Sequence, residues 1–366
     1  MKIANIAFPA AVSSVTAVKE PNKVENEQKN EVRQEVLDDF MKQYKITINE
    51  KLNATEKLKF QQLLYNCRDI FARDISEMKS YEGFQLELNS KNPYVKSYTR
   101  QYKLNEKDSD EAHNQIINLH KQGLIEKTID CSFNSPLFLV RKKNGESRMV
   151  VDLRKINAIL KPLIVALPKI DELISQLAAN EPNYISCTDF FKGYWSIKLH
   201  PKTRHYTSFT DHKTGISYQY SVLPMGLNVS AAGFVLALGR VFQDKEYYHF
   251  LYTYVDDACI VSKTVEDHLK HLQIIFQTVR ANSLRLNPTK TNIAFHEIEF
   301  LGFTVSNEGI SISPTKTDAI KRIAAPSSRK SLQKILGLVQ YFRKYIPCFS
   351  RKVANCLLYT SDAADE

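Results

Sequence analysis

Asp256 and Asp257, adjacent in a chain of 366 residues, are the residues whose type and spacing most directly suggest chemistry. Two carboxylates held side by side repel each other unless a cation neutralises them. An oxygen-only donor set suits a hard ion such as Mg²⁺. An acid pair between strands is commonly a solvated turn, but the flanks here argue otherwise. Tyr254 and Val255 run apolar up to the pair, and Ala258, Cys259, Ile260 and Val261 resume at once. A third carboxylate, Asp189, ends the alternating run Tyr184–Asp189. Two-metal phosphoryl transfer needs acids from separate strands converging on ions about 3.5–4 Å apart, which makes Asp189 the candidate third ligand. Arg141, Lys142, Lys143, Arg148 and Arg154 load one short stretch with cations. They suit either a triphosphate clamp or an edge hairpin protected from aggregation by charge.

These groups need strands and turns to hold them. The stretch His249–Val261 predicts a hairpin with the acids at its tip, because aromatic and β-branched residues flank a turn-forming pair. Leu137–Val140 and Met149–Leu153 predict a second hairpin turning at Asn144-Gly145. Asn53–Phe71 reads as a short helix, and another is expected from Ser109, as N-cap, to Gly123. Thr264 and Asp267 predict a capping box for a helix with the stripe Val265, Leu269, Leu272, Phe276 and Val279. His268 and His271 lie three apart on it and read as exposed histidines rather than a metal pair. The stretch Ser331–Ser350 reads as a basic amphipathic helix ending before Pro347, and Val18–Arg33 as a solvated linker.

Lys and Arg number 50 against 40 Asp and Glu, so the chain is basic and suits a polyanionic partner such as nucleic acid. The six cysteines are scattered and none forms CxxC, which favours a reducing compartment over a disulfide framework or zinc ribbon. No apolar run is long enough to span a bilayer. Pro9 interrupts the mildly apolar opening, so secretion is not expected.

Several of these stretches together resemble the reverse transcriptase region of gypsy-like long-terminal-repeat retrotransposon Pol polyproteins. Tyr254–Asp257, YVDD, is similar to the family's catalytic box. Lys142-Lys143-Asn144-Gly145, Arg148 and Val151–Asn157 follow its fingers hairpin, with Ser147 where the family usually has Trp. Asp189, Gly193 and Tyr194 match its first polymerase motif, with Phe190 and Ser196 differing from common choices. Leu223–Leu227, LPMGL, follows the second block, with Met225 in place of Phe or Gln and Val229-Ser230-Ala231 in place of Asn-Ala-Pro. Leu284–Phe295, with Asn287 and Lys290, and the turn Phe300, Leu301, Gly302 complete a series that runs in family order from about residue 51 to 350.

The resemblance implies an α+β polymerase right hand of fingers, palm and partial thumb or connection, with an antiparallel palm sheet backed by helices. It places a disordered linker at 1–46, an N-terminal extension at 47–100 and the reverse transcriptase domain at 101–350. Within that domain, fingers are expected at about 101–161 and 197–229, palm at about 162–196 and 230–309, and thumb or connection at about 310–350. Residues 351–366 fall outside the family pattern, and CLLYTSDAADE reads as adapter-derived. The implied activity is RNA-directed DNA synthesis, with Asp189, Asp256 and Asp257 as catalytic metal ligands for two Mg²⁺ ions, Mn²⁺ being an alternative. Arg148 and Lys142, with Arg141 as alternate, would meet the triphosphate. Tyr194, Met225, Gly226, Tyr254 and Lys290 would line the substrate site, and Phe300, Leu301 and Gly302 the primer grip. Expected partners are an RNA or DNA template, a primer, deoxynucleotides and the ribonuclease H and integrase parts of a longer polyprotein. No membrane is implied, and the expected location is cytoplasmic, within a virus-like particle. The rival expectation is a decayed, truncated copy that only binds nucleic acid.

Overall fold

The computed structural model describes residues 32–130, 132–141, 145 and 147–361, with the side chains of 357–361 left aside. Lys142, Asn144, the opening residues 1–31 and the end of the tail at 362–366 lie outside the described residues.

The site is carried by a five-stranded sheet in the order Thr47–Ile48, Asn292–Phe295, Tyr184–Asp189, Asp257–Ser262, Leu251–Tyr254. Tyr184–Asp189 is central and antiparallel to both neighbours. Side chains alternate across the strands, so the two faces carry different cores. On one face Ile185, Cys187, Cys259 and Val261 meet Leu173, Ile174 and Leu177 of helix Ile170–Ala179. Phe300, Phe303 and Val305 close that side from a separate three-stranded sheet, Glu297–Ile312 overall. On the other face Ala258, Ile260 and Ile293 pack with Leu272, Ile275, Phe276 and Val279 of helix Val265–Ala281. The sheet backed by helices is therefore present, antiparallel in its four strands from Asn292–Phe295 to Leu251–Tyr254 and parallel at its Thr47–Ile48 edge.

Four expectations are corrected. Residues 1–46 were expected to be disordered, but Gln34–Tyr44 is a helix that buries Leu37 and Phe40. The segment 47–100 is not a separate extension: Thr47–Ile48 joins the sheet edge, parallel to Asn292–Ile293, and Tyr81–Leu86 pairs with Ile197–Leu199. The second early helix spans Glu106–Lys121 and is capped by Asn105, whose side chain accepts from the Asp108 amide. Ser109 lies inside it, where its hydroxyl meets His212 Nδ1 at 3.1 Å. The helix expected to run from Ser331 to just before Pro347 stops sooner: Arg329–Gln340 is followed by a short helical turn at Arg343–Tyr345, and a new helix, Phe349–Ser361, starts after Pro347. Pro lacks an N–H donor and cannot continue a helix.

The histidine expectation also fails. His268, not Leu269, completes the fully buried stripe with Val265, Leu272, Ile275 and Val279. Its Nε2 is 2.6 Å from Ser186 Oγ and its Nδ1 is 2.8 Å from Ser262 Oγ. Burial pushes its pKa down to about 3, so it is a neutral core residue satisfied by two hydroxyls.

Candidate active site

The three acids come together through strand register. Asp257 stands directly opposite Asp189, and the Phe190 amide donates to the Asp256 carbonyl at 3.0 Å. Asp256 lies in the tight turn between strands Leu251–Tyr254 and Asp257–Ser262. Val255, just before it, has φ of 52°. A β-branched residue in left-handed backbone is strained, and such strain is kept where surrounding structure imposes it.

The electrostatics follow from that crowding. Burial first, then Asp189 and Asp257, push the Asp256 pKa up to about 6, against a smaller lowering by Lys290. Asp257 opens to the surface, yet the protein crowded around it and the charge of Asp189 also raise its pKa. Lys290 Nζ donates to Asp189 Oδ2 at 2.8 Å, and its own pKa is raised, chiefly by that bond. Asp256 Oδ1 is buried and has no hydrogen-bond partner. A buried acceptor left unpaired is costly, and here it sits among like charges.

The donor chemistry fits a hard divalent cation: three carboxylates, one with an orphaned oxygen, share one ammonium. As they stand, no three His, Cys, Asp or Glu side chains among the described residues form a ready chelate. Lys290 supplies positive charge in that arrangement, bonded to Asp189.

Tyr194 reaches the same place. Its ring is half-buried, meets the Phe234 ring edge-on at 5.8 Å, and has its pKa raised by burial and then by Asp256. The left-handed residue before Tyr194 is Lys192, with φ of 49°, and not Gly193. Gly193 is required for space, since a Cβ there would stand 2.7 Å from Phe234 Cζ.

The basic hairpin pairs Leu137–Arg141 with Ser147–Val151, Val140 opposite Arg148. Arg148 Nη2 donates to Met225 Sδ, which joins the hairpin to the LPMGL turn. Gly226, with φ of 102°, makes that turn. Asn157 fastens it, donating to the Gly226 carbonyl at 2.9 Å and accepting from the Asn228 amide at 2.8 Å. Arg141 leans away, 3.9 Å from Asp108 Oδ1.

Phe300, Leu301 and Gly302 form the turn between strands Glu297–Phe300 and Phe303–Ser306. Tyr341 donates to the Leu301 carbonyl at 3.2 Å, and Tyr254 is close enough to raise the Tyr341 pKa, after burial and Asp171. Sequence reasoning placed Asn157 in the fingers motif without a role and missed Tyr341, because a single polar side chain bridging distant segments leaves no periodic signal. The structure thus brings together Asp189, Asp256, Asp257, Lys290 and Tyr194 as one group. Arg148, Met225 and Gly226 form a second group, and Tyr254 with the Phe300–Gly302 turn a third.

A family model described as reverse transcriptase (RNA-dependent DNA polymerase) matches residues 140–305, which include every site residue named from Arg141 to Gly302. The retrovirus-related Pol polyprotein from transposon 297 of Drosophila melanogaster is 29% identical over 314 residues, covering 84% of this chain and 29% of that protein. The Pol polyprotein from transposon gypsy of the same organism is 30% identical over 259 residues, covering 69% and 24%. The chain therefore spans less than a third of these relatives. Among solved structures, a foamy viral protease-reverse transcriptase in complex with double-stranded DNA superposes with a TM-score of 0.78 at 24% identity, over 96% of this chain and 58% of that one.

Proposed function

From the premise that residues 140–305 of this chain are a reverse transcriptase domain of the kind found in gypsy-like Pol polyproteins, we propose that the chain is an RNA-directed DNA polymerase acting at Asp189, Asp256 and Asp257. The observation that carries this is the cross-strand pairing of Asp189 with Asp257 beside an Asp256 whose carboxyl is pushed up to about 6 and whose Oδ1 is orphaned.

Asp189, Asp256 and Asp257 would hold two divalent ions, Mg²⁺ by donor type. When bound, such ions activate a primer 3′-hydroxyl and stabilise charge on the transferred phosphate and the leaving pyrophosphate. The chain's own residues do the rest. Asp256 must be ionised to serve, which its raised pKa makes dependent on pH or on a cation beside it. Lys290, which donates to Asp189 at 2.8 Å, would supply a cation beside the reacting phosphates. Arg148 turns its fork from Met225 to the β- and γ-phosphates, with Lys142 as the further cation. Tyr194 occupies the position of a 2′-hydroxyl and rejects ribonucleotides by exclusion. Tyr254 and the Phe300–Gly302 turn support the primer end.

The foamy viral protease-reverse transcriptase named above holds double-stranded DNA, and another structure of a foamy viral protease-reverse transcriptase holds an RNA/DNA hybrid. The basic excess of this chain suits the same backbone-directed binding of template and primer. Primer extension on poly(rA)·oligo(dT) with Mg²⁺ tests the reading. Incorporation of dTMP is expected, and its absence from folded protein that binds the duplex would favour a decayed copy.

A further inference from the structure

Two threonines beneath the acids tie the strand that ends in Asp189 to the turn that carries Lys290. Thr188 precedes Asp189 and Thr291 follows Lys290, so each flanks one partner of the Lys290–Asp189 ion pair. Both are buried, Thr188 at 5% and Thr291 at 1% exposure. They face each other one step beyond the cross-strand pair of Cys187 with Asn292, and their hydroxyl oxygens are 2.8 Å apart. The Thr291 hydroxyl donates its one hydrogen to the Asn287 carbonyl, also at 2.8 Å, so Thr188 is the donor between the two threonines. The Asn287 amide in turn donates to the Asp189 carbonyl at 2.8 Å. These bonds close a ring that runs from Thr188 to Thr291, to Asn287, to Asp189 and back along the chain.

The ring clasps the single turn Pro288–Lys290. The Asn287 carbonyl also accepts from the Lys290 amide at 3.2 Å, and the Thr47 amide donates to the Thr291 carbonyl at 3.0 Å from the sheet edge. Lys290 needs that hold. Its side chain is 62% exposed, so little packing restrains its flexible stem, and the turn decides where its ammonium can reach. Valine has the shape of threonine and would fill both positions without burying a polar group, which is costly unless bonded. Hydroxyls at both facing positions add direction to the contact, because a fully satisfied buried network fixes one arrangement. Reacting groups out of place by about 1 Å can lose on the order of 100-fold in rate.

We propose that Thr188 and Thr291 are a positioning pair that sets Lys290 against Asp189 for nucleotide transfer. Its effect on transfer rests on the polymerase reading above; its hold on the turn does not.

The test uses the full chain as wild type, Thr188→Val/Thr291→Val, Lys290→Gln, and all three substitutions together. Replacing both hydroxyls by methyls of the same shape leaves no orphaned hydroxyl, so the paired valines are expected to fold. Amide exchange in EDTA, read by mass spectrometry, should quicken about tenfold over residues 287–291 with the paired valines and stay unchanged over Asp257–Ser262. Incorporation of dTMP on poly(rA)·oligo(dT) with Mg²⁺ should show kcat lowered about tenfold, with KM for deoxynucleotide and duplex Kd within about twofold. In the Lys290→Gln background the same valines should cost about twofold at most, since a pair acting through Lys290 has nothing left to place. Thr188→Ser/Thr291→Ser keeps both hydroxyls and should hold kcat within about twofold of wild type. If the paired valines do not fold, Thr188→Val alone, which leaves the Thr291–Asn287 bond in place, carries the same comparison. Unchanged exchange at 287–291, an equal loss of kcat in both backgrounds, or serines as impaired as valines would each overturn the pair. Wild-type protein that incorporates nothing would refute the polymerase reading, while the exchange result would still decide the hold on the turn.

Discussion

Replacing Asp256 by Asn should make the protein more stable while removing its activity. The side chain keeps its shape but loses a charge that burial, Asp189 and Asp257 all oppose. Moving a carboxyl from 3.8 to about 6 corresponds to about 3 kcal/mol once the group is ionised in both states. Solvent reaching the partly open turn screens roughly half of that, leaving about 1–2 kcal/mol. The sign is that of an acid whose folded pKa is raised. The folded state binds the proton more tightly, so stability falls as pH rises from about 4 to 6 and the penalty is complete above that. The assay is thermal unfolding of wild type and Asp256→Asn in EDTA at pH 8 and pH 4.5. A gain of roughly 2–4 °C is expected at pH 8, shrinking to about a third at pH 4.5, where the folded wild-type acid is largely protonated. An Asn variant less stable than wild type at pH 8, or a gain independent of pH, would refute this. Either result would mean the carboxylate makes a favourable structural contact in place of standing unpaired among like charges.

Three further outcomes follow from the geometry. Arg148→Ala should raise the apparent KM for deoxynucleotide about tenfold or more with little change in duplex affinity, as expected for a lost charge-assisted contact; steady-state kinetics over a deoxynucleotide series checks it, and unchanged KM would return the hairpin to a charged edge. Tyr194→Ala should admit ribonucleotides while keeping measurable deoxynucleotide incorporation; loss of both together with folded stability would make Tyr194 a core residue. Gly193→Ala should cost about 1–3 kcal/mol in urea unfolding, because its Cβ would stand 2.7 Å from Phe234 Cζ; full stability would show that the Phe234 ring gives way freely.

The carboxylate set was legible in sequence because its parts sit at strand ends with strong local signals: an alternating run closing on Asp189 and an acid pair between β-prone flanks. The two clamp strands were legible for the same reason. What was not legible depends on distant contacts. Thr47–Ile48 is a strand only because Asn292–Ile293 offers an edge. His268 looked exposed because a polar residue beside apolar ones reads as surface; two serines from separate strands satisfy its ring in the core. The role of Gly193 depends on Phe234, forty-one positions later in the chain, and so could not be read from its neighbours.

The central claim is that Asp189, Asp256 and Asp257 act in chemistry and leave duplex binding to cations elsewhere. The most direct measurement takes Asp189→Asn and Asp256→Asn beside wild type, following dTMP incorporation on poly(rA)·oligo(dT) with Mg²⁺ and, in the same preparations, the Kd for that duplex. Each variant is expected to lose incorporation by several orders of magnitude, because an acid that would hold metal in the transition state is gone, with Kd within about threefold of wild type. Loss of both activities in parallel, or incorporation that survives either substitution, would contradict it.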